Sequence, residues 1–590
     1  MNIADRDILK TILDHSVSNQ RAIAELSGYS LGAVNACIRS LTSAGYLDHD
    51  RKPTEAALKL YETCTPDSAV ILAAGFGMRM VPINMETSKG LLEVHGEPLI
   101  ERQIRQLHEA GVKDISVVVG YMKEKYEYLI DTFGVELIVN NDYASTNNIY
   151  SLYLARKHLK NTYIIPCDIY SSGNPFSPHE LYSWYLMSEA PSGKSRFRVN
   201  RKRQIVQTDS RHKGKRMIGV AYLTEKDSEI LKQSLSALCE KPENLDLFWE
   251  EAIIQDGNMI IPAKVANENG TVEIDTYEQL RQLDGDSDDL QSDALRTIAD
   301  VFHCSVSDIT DISILKKGMT NRSFLFTCCG EKYIMRIPGE GTDKLIDRYH
   351  EAQVYEAIRG KGLCDDVVYI DPANGYKITK FLYGIRTADP ENTEDLMHCM
   401  SKLKTFHDMD LIVGHDFDIF GQIEFYEELW NGEPSVYRDY ETTKANVFSL
   451  QSYINEHIER KTLTHIDAVP DNFLFYQNEN GEEDLQLTDW EYSGMQDPHV
   501  DIAMFCIYSL YDKKQIDQLI DIYFAGQCTI ENRLKIYCYV AACGLLWSNW
   551  CEYKRQLGVE FGEYSLRQYR YAKEYCRYAE EGIRKRPCTK

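Results

Sequence analysis

The stretch Ala69-Val-Ile-Leu-Ala-Ala-Gly-Phe-Gly-Met-Arg-Met80 decides the fold of the middle of this 590-residue chain. Six small or apolar residues run into glycine without polar alternation, the pattern of a strand buried on both faces of a parallel sheet. The strand ends in Gly75-Phe76-Gly77-Met78-Arg79. Two glycines let backbone N–H groups approach an anion closely, and Arg79 adds fixed positive charge to the same loop. Working outward, Leu99 to Ala110 is amphipathic and Ile115 to Val119 is β-rich. Lys123 to Thr132 reads as helix, and Val135 to Val139 and Tyr163 to Cys167 as strands. Alternation of this kind predicts an α/β doubly wound domain over 67–283, with its site at the carboxyl ends of the strands.

The last part of the chain, 293–590, has β-like runs first (Arg322 to Thr327, Lys332 to Ile337) and helical patterns afterwards, so an α+β bilobal domain is expected. It contains His465-Ile-Asp467-Ala-Val-Pro-Asp-Asn472, and Asp489 follows seventeen residues after Asn472. A base (Asp467), an amide ligand for Mg²⁺ (Asn472) and a carboxylate ligand (Asp489), in that order, are the parts of kinase-type phosphoryl transfer from ATP. Upstream, Gly318-Met-Thr320-Asn321 precedes a strand and suits a phosphate-covering turn. Arg336 sits where a nucleotide clamp is expected, and Glu351 is placed to pair with it. Trp547 and Trp550 share one helical face, the arrangement an aromatic cage for a quaternary ammonium group would use. Glu491 is a further candidate on the substrate side.

Residues 1–66 read as a compact α winged helix-turn-helix domain. Ile8, Leu9, Ile12 and Leu13 share one face; Ile23, Ala24 and Leu26 another. Ser30 caps a helix with the stripe Leu31, Val34, Ile38 and Leu41, and Thr54 caps the last helix. Seven Lys/Arg stand against eight Asp/Glu in this segment, so DNA binding and a dimerisation or regulatory role both stay open, as does homo-oligomerisation of the chain. Leu283-Asp-Gly-Asp-Ser-Asp-Asp289 is acidic and turn-rich, and 284–292 is expected to be a linker.

Composition narrows the classes. Lys+Arg is 65 and Asp+Glu 90, a net charge of −25, which disfavours a polyanionic partner for the chain as a whole. Apolar residues make up 43%, an ordinary globular share. The charged start Met1-Asn-Ile-Ala-Asp-Arg-Asp7 does not read as a signal peptide. The uncharged run Ile536 to Cys551 falls short of the ~20 residues of a membrane span. Sixteen cysteines without a Cys-x-x-Cys pair fit small buried hydrophobes in a reducing cytoplasm. The basic run between Lys194 and Arg216 reads as a solvated hairpin beside a site that receives anions.

The 67–283 segment resembles the nucleotidyltransferases that activate small phosphates, and among them the bacterial CTP:phosphocholine cytidylyltransferases. The resemblance rests on the Gly75–Arg79 loop, Ser88-Lys89-Gly90-Leu91-Leu92 and Val119-Gly120-Tyr121. It continues through Asn147-Asn148-Ile149-Tyr150, Cys167-Asp168, Phe248-Trp249-Glu250 and Glu273-Ile274-Asp275. It implies that Asp168 and Asp275 hold Mg²⁺ and that Lys89 and Arg79 are the catalytic cations on the phosphates. Ala73, Ala74, Gly75, Gly77, Tyr121 and Asn147 would lie around CTP, with Tyr150, Trp249 and Glu250 on the phosphocholine side. The 293–590 segment resembles the choline/ethanolamine kinases and their aminoglycoside-phosphotransferase relatives, in which Gly318, Thr320, Asn321, Arg336 and Glu351 would face ATP. Together the two resemblances imply choline phosphorylation followed by CDP-choline formation. The same two steps on ethanolamine or a sugar, or a winged-helix regulator that uses the catalytic domains as ligand sensors, are the alternatives.

Overall fold

The computed structural model describes residues 1–590 except 193–194, 196, 201–202, 208–213, 255–258, 266–269, 316–320, 340–344, 365–366, 479, 557–558, 560 and 586–590. The chain forms two compact units, one of Met1–Asp300 with Ile312–Ile314 and one of Val301–Asp311 with Leu315–Lys590.

The first unit opens with helices α1 (Ile3–His15), α2 (Gln20–Ser27), α3 (Leu31–Ser43) and α4 (Glu55–Thr63). Ser30 and Thr54 cap α3 and α4 as their spacing predicts, each accepting a backbone N–H with its hydroxyl. Ile8, Leu9, Ile12, Ile23, Val34, Ile38 and Leu41 form the small core. Leu26 and Leu31 depart from the expected stripes and stay 50% and 42% exposed. The wing is reduced to one antiparallel bridge, Leu47 with Pro53.

Strands β1 (Ser68–Ala73), β2 (Asp114–Val119), β3 (Glu136–Val139), β4 (Thr162–Pro166), β5 (Trp184–Ser192), β6 (Gly214–Leu223) and β7 (Ala263–Val265) form one sheet in the order β7-β5-β6-β4-β1-β2-β3. The four strands β4, β1, β2 and β3 are mutually parallel, as the apolar runs require. The sheet is then extended by β6, which is antiparallel to both β4 and β5. Apolar side chains cover both faces, in two separate clusters. The segment expected as helix from Lys123 is a 3₁₀ turn, Lys123–Tyr126, followed by the short helix Tyr128–Phe133. The acidic stretch expected as a linker is fastened to the domain. His95 N donates to Asp284 Oδ2 at 2.5 Å, Glu93 N to Asp289 Oδ2 at 2.6 Å, and Ser287 Oγ to Glu93 O at 2.8 Å. Asp284 and Asp289 thus accept from backbone N–H groups of a short hairpin.

The second unit carries an antiparallel sheet in which Asn321–Cys328, Glu331–Pro338, Tyr376–Lys380 and Tyr369–Asp371 follow one another. A helical lobe comes after it. Its central helix, Ile530–Gln556, buries the apolar run Ile536 to Cys551 almost completely. That run is therefore a protein core, and no helix among the described residues is long and apolar enough to cross a membrane.

Candidate active sites

In the first unit the loop after β1 and the end of β4 meet as open parallel sheets dictate. Gly77 has φ +66°, and a Cβ there would lie 3.0 Å from Lys89 Cγ, so glycine serves both the left-handed turn and the passage of the lysine. Asn84 Nδ2 holds the loop by donating to the carbonyls of Phe76 and Gly77. Lys89 Nζ then lies between Asp168 Oδ2 (2.6 Å) and Asp275 Oδ1 (2.9 Å), and Arg79 Nη1 reaches Asp275 Oδ2 at 2.9 Å. Two further residues join them. Glu273 has an oxygen within 4.8 Å of those of Asp168 and Asp275, and Arg216 of the basic run pairs with Glu273 at 2.6 Å and lies 3.6 Å from Asp275.

Charge follows from that geometry. Burial works against ionisation of Asp275, but Lys89, Arg79 and Arg216 hold it below the usual carboxylate range. Burial, Asp168 and Asp275 together push Glu273 up to about 7 in spite of Arg216. Three hard carboxylates at this spacing suit an oxygen-seeking divalent cation such as Mg²⁺, and three cations around them can receive phosphate oxygens.

The other residues expected here divide into wall and core. Ala73 and Ala74 are buried at the strand end, and Gly75 is exposed. Tyr121 lies edge-on to Phe76 at 4.5 Å and spends its hydroxyl on Asn84 O. Asn147 caps helix Asn148–Leu154, and Tyr150 on that helix stacks on Tyr153. Trp249 is a correction: it is fully buried, with its ring 5.8 Å from that of Tyr185 inside the core, and presents no open aromatic face. Its neighbour Glu250 is buried too, accepts from Tyr185 Oη at 2.8 Å, and is pushed up to about 7 by burial.

In the second unit the loop that carries Asp467 is built around Asp501, which the sequence reading did not single out. Its fully buried carboxylate accepts from the backbone N–H of His465 (3.0 Å) and Ile466 (2.7 Å), and lies 2.9 Å from His407 Nε2. His465 donates through Nε2 to Thr488 O at 2.9 Å, joining the loop to the Asp489 segment. Ile466 and Asp489 both adopt positive φ, +69° and +65°, strained values held by this frame. Asp467, Asn472 and Asp489 converge: Asn472 Nδ2 donates to Asp467 Oδ2 at 3.0 Å, and all three line one cavity of about 820 Å³. Burial and the charges of Asp489 and Glu491 push Asp467 up to about 8.

Arg336 clamps Glu351 through two parallel contacts of 2.5 and 2.9 Å. Arg348 and Lys377, unforeseen from sequence, add contacts to the same carboxylate at 3.0 and 3.2 Å. Glu491 lies in this network, accepting from Asn321 Nδ2 at 2.8 Å and Arg348 Nη1 at 3.4 Å. Gly318 and Thr320 lie outside the described residues. Trp547 and Trp550 both line the cavity, 5.3 Å apart and nearly perpendicular. Tyr492, Tyr508, Phe561 and Tyr564 line it with them; their scattered positions gave no periodic signal.

Comparison with known proteins gives the families that the segments resemble. A MobA-like NTP transferase model matches residues 69–183, a choline/ethanolamine kinase model residues 312–538, and a winged helix-turn-helix DNA-binding model residues 1–48. The choline-phosphate cytidylyltransferase of Streptococcus pneumoniae is 33% identical over 222 residues, 37% of this chain and 96% of that protein. The chain belongs to the choline-phosphate cytidylyltransferase family. The 2-aminoethylphosphonate cytidylyltransferase of Lancefieldella rimae is also 33% identical, over 32% of this chain and 78% of its own length. The crystal structure of the choline kinase LicA from Streptococcus pneumoniae matches 49% of this chain and 100% of its own at 27% identity, with a TM-score of 0.42. By the family models and the curated relatives, the protein is a transferase that joins a nucleotidyltransferase fold to a choline/ethanolamine kinase-type domain.

Proposed function

We propose that this chain phosphorylates choline with ATP and couples the resulting phosphocholine to CTP, releasing CDP-choline and pyrophosphate. One observation carries the choice of substrate. The cavity that holds Asp467, Asn472 and Asp489 is also lined by seven aromatic side chains, Tyr355, Tyr492, Tyr508, Trp547, Trp550, Phe561 and Tyr564. Aromatic faces attract a quaternary ammonium group, at about 2 kcal/mol or more per desolvated contact.

In the second unit Asp467, raised by burial, takes the hydroxyl proton as the choline oxygen attacks the γ-phosphorus and ADP departs. Asn472 and Asp489 would hold Mg²⁺ there; Asp168, Asp275 and Glu273 would hold it in the first unit. Bound Mg²⁺ supplies neutralisation of phosphate charge in both reactions. In the first unit an oxygen of phosphocholine attacks the α-phosphorus of CTP and pyrophosphate leaves. Lys89, Arg79 and Arg216 orient the phosphates and offset the charge that gathers there, while Glu250 faces the ammonium end as its counter-charge.

Steady-state rates test this reading. Choline against ethanolamine is measured by ADP release; phosphocholine against phosphoethanolamine and 2-aminoethylphosphonate by pyrophosphate release. The quaternary substrates are expected to lead by about tenfold or more in kcat/KM. A preference for the primary amine in both assays overturns the assignment.

A further inference from the structure

The helix-turn-helix is tied to the catalytic sheet by polar contacts that converge on one residue. Asp7 of α1 accepts from Tyr182 Oη at 2.5 Å and from Tyr29 Oη at 2.7 Å. Tyr29 directly precedes Ser30, the N-cap of α3. Arg203 of the basic hairpin donates to Tyr29 Oη at 3.0 Å and lays its guanidinium 4.8 Å from that ring's centre. Around this knot Lys10 Nζ donates to His179 O at 2.6 Å, His179 stacks on Tyr61 at 3.7 Å, and Glu180 N donates to Cys64 O at 2.8 Å. Ser177, His179, Glu180, Leu181 and Tyr182 are thus each contacted by residues from 1–66.

Both arms of the knot lead to Tyr185. Along the chain, Tyr182 stands three residues before it, at the entry to β5. Across the sheet, the carbonyl of Arg203 accepts from Ala263 N at 2.7 Å, Ala263 is the register partner of Tyr185, and Tyr185 N donates to Pro262 O at 3.0 Å. Tyr185 in turn donates its hydroxyl to Glu250 Oε1 at 2.8 Å, and Glu250 Oε2 is buried without a hydrogen-bond partner.

We infer that residues 1–66 are a positioning element of the cytidylyltransferase site, acting from Asp7 and Tyr29 through Tyr182, Arg203 and Tyr185 on the orientation of Glu250 toward the ammonium end of phosphocholine. The inference rests on the reading of Glu250 given above. Displacing the helix-turn-helix removes the acceptor of Tyr182 and the ring under Arg203 together, so both supports of Tyr185 loosen at once. Coupling is reciprocal: phosphocholine in the site tightens the turn between α2 and α3, and whatever binds the exposed side of α3 alters the affinity for phosphocholine.

The test uses the full chain with Tyr29→Phe and Arg203→Met, and Glu250→Gln as the reference. The KM for phosphocholine is expected to rise about fivefold in both positioning variants, with the KM for CTP, kcat and ADP formation from choline unchanged. Hydrogen–deuterium exchange adds a readout that mere destabilisation would not move. Phosphocholine with Mg²⁺ and CTP should slow exchange over residues 20–31 in the wild type and not in the variants. If Glu250→Gln alone raises the KM, the positioning role is overturned and the substrate reading stands. If Glu250→Gln leaves the KM unchanged, the substrate reading falls and the positioning role with it.

Discussion

Replacing Trp547 by leucine removes one aromatic face from the kinase cavity while keeping a helix-forming, apolar side chain. The ring stands 5.3 Å from Trp550 and 6.1 Å from Tyr492, edge-on to both, and its indole N–H is spent on Met504 Sδ at 3.2 Å. It is partly exposed and lines the cavity, so a cation there would meet it largely stripped of water. A desolvated contact of this kind is worth about 2 kcal/mol, or roughly 30-fold in binding. The assay compares the KM of choline with that of 3,3-dimethylbutan-1-ol, its uncharged isostere. The choline KM should rise by about 30-fold in the variant and that of the neutral alcohol far less, with the KM for ATP unchanged. An equal rise for both alcohols would mean that the ring contributes only apolar area, and would refute the cation–π argument.

Asp467→Asn should cost choline phosphorylation about 10²–10⁴-fold while pyrophosphate release from supplied phosphocholine and CTP continues; loss of both activities contradicts two independent sites. Asp275→Asn should reverse the pattern, halting turnover at phosphocholine, and should weaken Mn²⁺ binding measured by electron paramagnetic resonance in the presence of CTP. Glu351 gives a pH prediction. Burial would raise it, but Lys377, Arg336 and Arg348 carry it from 4.5 down to about 2. Its folded value is depressed, so its stabilising contribution is present above pH 4.5 and is lost as pH falls toward 2, about 3 kcal/mol over that window. Urea unfolding of the wild type and Glu351→Gln across these pH values should show the difference, and parallel profiles would contradict it.

Much of the fold, and most of the residues that the structure gathers at the two candidate sites, could be read from local patterns. The apolar run into Gly75-Phe76-Gly77 and the spacing Asp467, Asn472, Asp489 are short-range facts, and backbone geometry carries them straight into the sites. What escaped depends on distant pairing. Glu273 reaches Asp168 because Thr271–Glu273 runs antiparallel to Ile169–Ser171. Its position two residues before Asp275, on the same side of an extended segment, was the available signal. Arg216 was hidden in a basic run that composition alone could not divide, and Asp501 supports its loop from a helix far along the chain. The Trp249 reading failed for a different reason: an aromatic beside an acid looks the same in sequence whether the ring faces a ligand or, as here, Tyr185 in the core. The linker reading failed because acidic turn residues serve equally well as acceptors for the free N–H groups of a neighbouring hairpin.

Phosphorus NMR of the full chain incubated with Mg²⁺, ATP, CTP and choline tests the central claim most directly. The account predicts phosphocholine as a transient, then CDP-choline and pyrophosphate, with one ADP for each phosphocholine formed. ATP and CTP left intact, or phosphocholine accumulating without any CDP-choline, would contradict it.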